Sequence, residues 1–171
     1  MRRAALLSAL MISSSAACGG SDSTAPSASA APSSGIPDEM GELVFQHLGV
    51  RLQAPVSIKS APEVPNAADT SGKRYKATLS LGTVVDPLDV LLMNDPIVVP
   101  KDADAIQKDS RNTQIEKLPN GAVAYLRGDE PTVWLAVPGK DSVTCALSSK
   151  KTPKAVELAW KICKTLRLND G

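Results

Sequence analysis

The chain has 171 residues, with 19 Lys and Arg against 18 Asp and Glu, a net charge of +1, and 43% hydrophobic side chains. Such a balance excludes the strong basic field that nucleic-acid binding requires. With one Phe, two Trp and two Tyr, the core must be aliphatic, and aromatic stacking platforms for bases or sugars are largely excluded.

The chain opens with Arg2 and Arg3, continues with the apolar run "AALLSALMI", and reaches Cys18 through the small residues "SSSAA". A basic start, a short apolar stretch and a small-residue zone are the three parts of a secretory signal. A membrane-spanning helix needs ~20 apolar residues, about twice this run, so residues 1–17 are expected to be removed.

Ser15, Ala16, Ala17 and Cys18 resemble the lipobox of bacterial lipoproteins, Leu, Ala/Ser, Gly/Ala, Cys, with Ser15 standing where an aliphatic residue is usual. The resemblance implies that Cys18 is acylated on its sulfur and on its new amino group and becomes the first residue of the mature chain. Each buried methylene of such an anchor is worth ~0.8 kcal/mol. It also implies attachment to a membrane of the cell envelope through lipid on Cys18. Gly19, with no Asp after the cysteine, favours the outer membrane over the inner.

Residues 18–37 are mostly Ser, Ala, Pro, Gly and Thr. They have too little apolar surface to offset the entropy of ordering them and read as a disordered tether. Residues 38–168 have the length of one domain. Without Arg2 and Arg3, 17 basic groups face 18 acidic ones.

Within the domain, Met40, Leu43, Val44 and His47 or Leu48 have helical spacing, and Asp38 to His47 is expected to form a short helix, although "LVFQHLGVRLQ" also reads as strand alternation. Val50, Leu52 and Ala54 alternate as in a strand, as do Val56 and Ile58. Ser60 to Lys73 is turn-rich and reads as a long loop. Tyr75, Ala77, Leu79 and Leu81 share one face of a strand, and the apolar run Pro87 to Met93 reads either as buried strand or as helical turn. Pro100, Asp102 and Asp104 mark a helix start, with Lys108 and Arg111 near its close.

The pattern is then clearest. "TQIEKL", "AVAYLRG", "TVWLAV" and "SVTCALS" are separated by turns at Pro119 to Gly121, Asp129 to Pro131 and Pro138 to Asp141, which predicts a four-strand antiparallel meander. A closing helix from Pro153 to Arg167 has Thr152 as its cap and Ala155, Ala159, Ile162, Cys163 and Leu166 on one face. The fold class expected is α+β: one antiparallel sheet of about five to seven strands with helices on one side.

Cys145 lies in the last meander strand and Cys163 on the apolar face of the closing helix. In an exported protein two cysteines on touching elements are disulfide candidates, the alternative being two small buried thiols. A bridge would leave Cys18 over, which lipidation explains.

Chemistry is sparsely marked. His47, the single histidine, sits in no recognisable motif. "DADAIQKD" matches a calcium loop only at its first two acids and is better read as a helix start. Lys150, Lys151, Lys154, Lys161, Lys164 and Arg167 read as the solvated side of the closing helix, or as a face toward anionic lipid headgroups. No catalytic residue, metal or cofactor is expected.

The element order from Val50 to Leu168, closing on "AWKICKTLR", resembles the Mog1/PsbP-like α/β/α proteins. This resemblance implies a binding or assembly factor, not an enzyme. The expectation is a monomeric, lipid-anchored envelope protein that binds a protein partner or envelope component through its sheet face or loops. The alternatives are an envelope hydrolase with an unrecognised site and a small-ligand binding module. An enzyme predicts a concave pocket holding His47 or converging carboxylates; a partner-binding protein predicts a polar, featureless sheet and an exposed apolar patch.

Overall fold

The computed structural model describes residues 39–58, 61–81, 88–94, 100–149 and 152–170, all within one unit, Gly35–Gly171. The signal segment, Cys18, the tether, Lys150 and Lys151 lie outside the described residues.

Strands β1 (Met40–Phe45) and β2 (Val50–Pro55) form a hairpin in register from Met40 opposite Pro55 to Phe45 opposite Val50. The helix expected over Asp38 to His47 is therefore corrected to a strand. Met40, Leu43 and Val44 have helical spacing, but in the strand Leu43 and Phe45 turn inward while Val44 is exposed, and the alternation of β2, with Val50, Leu52 and Ala54 buried, supplies the paired edge. Gly49 closes the turn at φ +75; a Cβ there would sit 3.1 Å from Val137 Cγ1, so the position needs glycine on two counts.

The meander forms as expected. Strands β6 (Asn112–Lys117), β7 (Val123–Arg127), β8 (Glu130–Leu135) and β9 (Val143–Leu147) pair in sequence. β9 also pairs with β5 (Asp89–Met93), β5 with β4 (Tyr75–Ser80), and β4 with β3 (Glu63–Pro65), so that the seven-stranded sheet runs β3-β4-β5-β9-β8-β7-β6. The ambiguous run before Met93 is thus a strand. The expected long loop, Ser60 to Lys73, contains β3, which is too short to show a period. The outermost strand β6 is broken by a register shift between Thr113 and Glu116, with Gln114 at φ 51.

A second sheet, β1-β2-β10, is separate from the first, which corrects the expectation of one sheet. β10 (Arg167–Leu168) pairs with β2 because the closing helix α2 (Pro153–Cys163) stops earlier than expected. Past Cys163, the Thr165 hydroxyl donates to Ile162 O at 2.6 Å and accepts from Gln53 N at 2.7 Å, turning the chain toward β2. Thr152 caps α2 as read from the sequence, its hydroxyl accepting from Ala155 N at 3.2 Å.

The two faces of the large sheet carry different neighbours. Ala77, Leu79, Val90, Leu92, Ala124, Val133 and Cys145 pack with Leu52 of β2 and with Ala155, Ala159 and Ile162 of α2 in the main core. The residues one step along, Val123, Tyr125 and Trp134, form a second cluster with Ile106 of α1 (Ala103–Lys108), whose cap is Asp102. The helices therefore lie on opposite faces, not on one side. The separation follows from the period of two in each strand. A disulfide joins Cys145 of β9 to Cys163 of α2, with 5.5 Å between their Cα atoms.

Candidate functional site

A polar cleft of about 610 Å³ lies where four connections meet at one end of the sheet. The β1–β2 turn brings Gln46 and His47, the loop before β4 brings Gly72 and Lys73, β4 begins with Tyr75, β5 is followed by Asn94, and the β8–β9 turn brings Gly139, Lys140 and Asp141.

Each connection is fixed by a hydrogen bond from a distant segment. The Glu63 carboxylate accepts from His47 N at 3.2 Å and Leu48 N at 2.8 Å, holding the hairpin turn. Lys140 Nζ donates to Gln46 O at 3.2 Å and His47 O at 3.1 Å, tying the same turn to the β8–β9 connection. Buried Asn94 accepts from Tyr75 N at 2.6 Å through Oδ1. Arg74 donates to Asp141 at 2.8 Å and to Asp69 at 3.2 Å. Asp69 in turn accepts from the Ser71 hydroxyl and from the amides of Ser71, Lys73 and Arg74. The Ser71 hydrogen bond leads these in lowering the Asp69 pKa to about 2.

The outcome of this scaffolding is that the His47 ring stacks on Tyr75, centroids 4.2 Å apart and planes 11° from parallel. An aromatic pair with ammonium groups and glycine turns around it is suited to holding a polar ligand. The acids close by are committed to structure: Glu63 to backbone amides, Asp69 and Asp141 to Arg74. The composition pointed away from stacking platforms, yet two ring-bearing residues 28 positions apart have been brought face to face.

A second, smaller concavity of about 270 Å³ lies on the sheet face that carries α1, lined among others by Leu91, Met93, Tyr125, Thr144 and Ala146. Burial raises the Tyr125 pKa to about 12.

The other residues marked in the sequence are dispersed. Cys145 and Cys163 are bonded to each other and fully buried. Asp102 is a helix cap and Ile106 a core residue, so "DADAIQKD" is a helix start, and among the described residues no three His, Cys, Asp or Glu gather to hold a metal. The basic residues of the closing segment face different partners: Lys164 binds Glu116 at 2.6 Å and lies over Trp160, and Arg167 binds Glu42. Lys73, Asn94 and Lys140 were not singled out as functional residues from the sequence, and Tyr75 only as a strand position, although Pro138 to Asp141 was recognisable as a turn. Turn chemistry does not say which turns meet.

Comparison with protein families, curated proteins and solved structures finds no match to this chain.

Proposed function

We propose that the protein is a lipid-anchored, non-enzymatic component of the cell envelope, held at a membrane through Cys18, that binds a protein partner or envelope component in the polar cleft. The observation that carries this reading is the commitment of Glu63, Asp69 and Asp141 to structural partners around a stacked His47–Tyr75 pair. A concave cleft holding His47 is the arrangement expected of the enzyme alternative, not the featureless sheet expected of a partner-binding protein; what speaks against catalysis is that a general base needs a partner that orients it, whereas the nearby acids bond to backbone amides and to Arg74. Placement of α1 and α2 on opposite faces of the sheet supports the likeness to Mog1/PsbP-like α/β/α proteins and hence a binding role.

Two measurements test the proposal. A photocrosslinking residue at position 47 in intact envelopes should give a discrete adduct that is lost with Lys73→Glu, while one at exposed Thr78 gives none. Equal crosslinking from both positions refutes the cleft. For the anchor, the mature N-terminal peptide should carry acyl groups on Cys18, and a Cys18→Ser chain that still resists alkaline extraction from membranes refutes lipidation.

A further inference from the structure

Tyr125 and Thr144 are 1% and 5% exposed, and among the described residues neither hydroxyl has a hydrogen-bond partner. A desolvated polar group left unpaired is disfavoured by an amount comparable to a lost hydrogen bond, and native proteins rarely keep two around one concavity without something to meet them. Both residues line the 270 Å³ concavity on the α1 face. Its floor is small, with Ala146 and Thr132 between larger neighbours, and the Thr132 hydroxyl already donates to Glu130 O at 3.2 Å.

A single water takes about 30 Å³ of liquid volume and needs two to four polar partners. The concavity is several times larger, and its remaining walls are Leu91, Met93 and Leu147 together with Arg127, Glu130 and Ser148. Apolar walls with a few fixed polar points are the composition of a small-molecule site, although this one lies near the lower end of the usual size range.

We propose that this concavity is a second binding site, distinct from the polar cleft, for a small neutral molecule with an apolar body and a carbonyl-type oxygen. The Tyr125 hydroxyl donates to that oxygen, and Thr144 offers a second polar point. The phenol serves because burial keeps it protonated, and so a donor, far above neutral pH. The lining carries one cation, Arg127, and one anion, Glu130, so it presents no net charge that would select an anion, and the remaining wall is mostly apolar.

The test uses acetophenone as probe and ethylbenzene as its hydrocarbon counterpart, titrated into the full chain carrying Cys18→Ser and followed by amide chemical shifts. Acetophenone should saturate with shifts centred on β7 and β9 and bind about tenfold more tightly than ethylbenzene, the ratio expected of one hydrogen bond. Tyr125→Phe should bring the two probes within about twofold of each other. Ala146→Leu, which fills the floor without touching the hydroxyls, should remove binding of both. The proposal is overturned by the absence of saturable acetophenone shifts, by shifts centred elsewhere, by equal affinity for the two probes, or by unchanged binding in Ala146→Leu. Because none of these readouts involves His47 or Lys73, failure here leaves the polar cleft standing, and the reverse.

Discussion

Leu91 and Leu92 are adjacent on β5, and the two faces of the sheet can be compared through them. Leu92 is fully buried among the side chains beneath α2, whereas Leu91 is only half-buried, in the wall of the small concavity. On the first face a three-turn helix, a second sheet and a covalent bond close over aliphatic side chains. On the other, a six-residue helix covers one region and leaves hydroxyls that meet no partner among the described residues. One run of strands therefore builds a finished core and an unfinished one, and the difference lies in what each face is given to pack against. A face that is complete can hold the fold; one that is incomplete is available for binding.

The largest expected effect separates the leucines. Leu92→Ala should destabilise by about 2–5 kcal/mol, the usual loss for a buried leucine, while Leu91→Ala should stay below about 1 kcal/mol. Chemical denaturation of both variants reads the contrast, and equal losses would dissolve the distinction between the faces.

Next comes the covalent closure. The bridged residues are 18 apart in sequence, and on the chain-entropy model a loop of that size stabilises by about 3 kcal/mol. Cys145→Ala with Cys163→Ala should lower the melting temperature by about 10 °C. In the parent protein neither cysteine should react with an alkylating reagent unless it is both unfolded and reduced.

A smaller effect belongs to the helix cap. Thr152→Ala removes the acceptor for Ala155 N and should reduce global stability by about 1 kcal/mol, read as a shift in denaturation midpoint with an unchanged slope.

The smallest effect is the most telling. Tyr125→Phe removes a hydroxyl that has no partner among the described residues, and at neutral pH it should be neutral or slightly stabilising. At high pH the two chains should diverge. Native Tyr125 holds its proton to about 12 against an ordinary value of 10.0. Between those values the unfolded chain binds fewer protons than the native one, so stability falls as pH rises. Tyr125→Phe should flatten that alkaline fall, and an unchanged fall would mean that the phenol is not buried as described.

The finished face was largely legible in the sequence. The meander announces itself because Pro119 to Gly121 and Pro138 to Asp141 supply turn chemistry between alternating strands, and α2 because Thr152 and Pro153 mark its start. Cys145 and Cys163 could be paired on paper because the strand and helix bearing them had to touch. β1 was misread because Met40, Leu43 and Val44 fit a helical spacing while Leu43 and Phe45 fit a strand, and only the register with β2 resolves the overlap. β3 and β10, of three and two residues, are too short to carry any period. The polar cleft was illegible for a different reason. It is assembled from connections scattered between Gln46 and Asp141, and local turn signals carry no information about long-range proximity. The unpaired hydroxyls were likewise invisible, since alternation shows that Tyr125 faces away from Ala124 but not what waits on that side.

The irregular course of β6 has a consequence for how the protein behaves when crowded. An outer strand normally offers a row of open amides and carbonyls on which another chain can grow as a further strand. Here Gln114 in the left-handed region and the shift between Thr113 and Glu116 break that row in its middle. At the opposite edge, β3 is three residues long and ends in Pro65, which has no amide to give. Both margins of the large sheet are thus poor templates, which leaves β1, six residues in unbroken register and paired among the described residues with β2 alone, as the backbone edge of the described strands most open to recruitment by a neighbouring copy at high density.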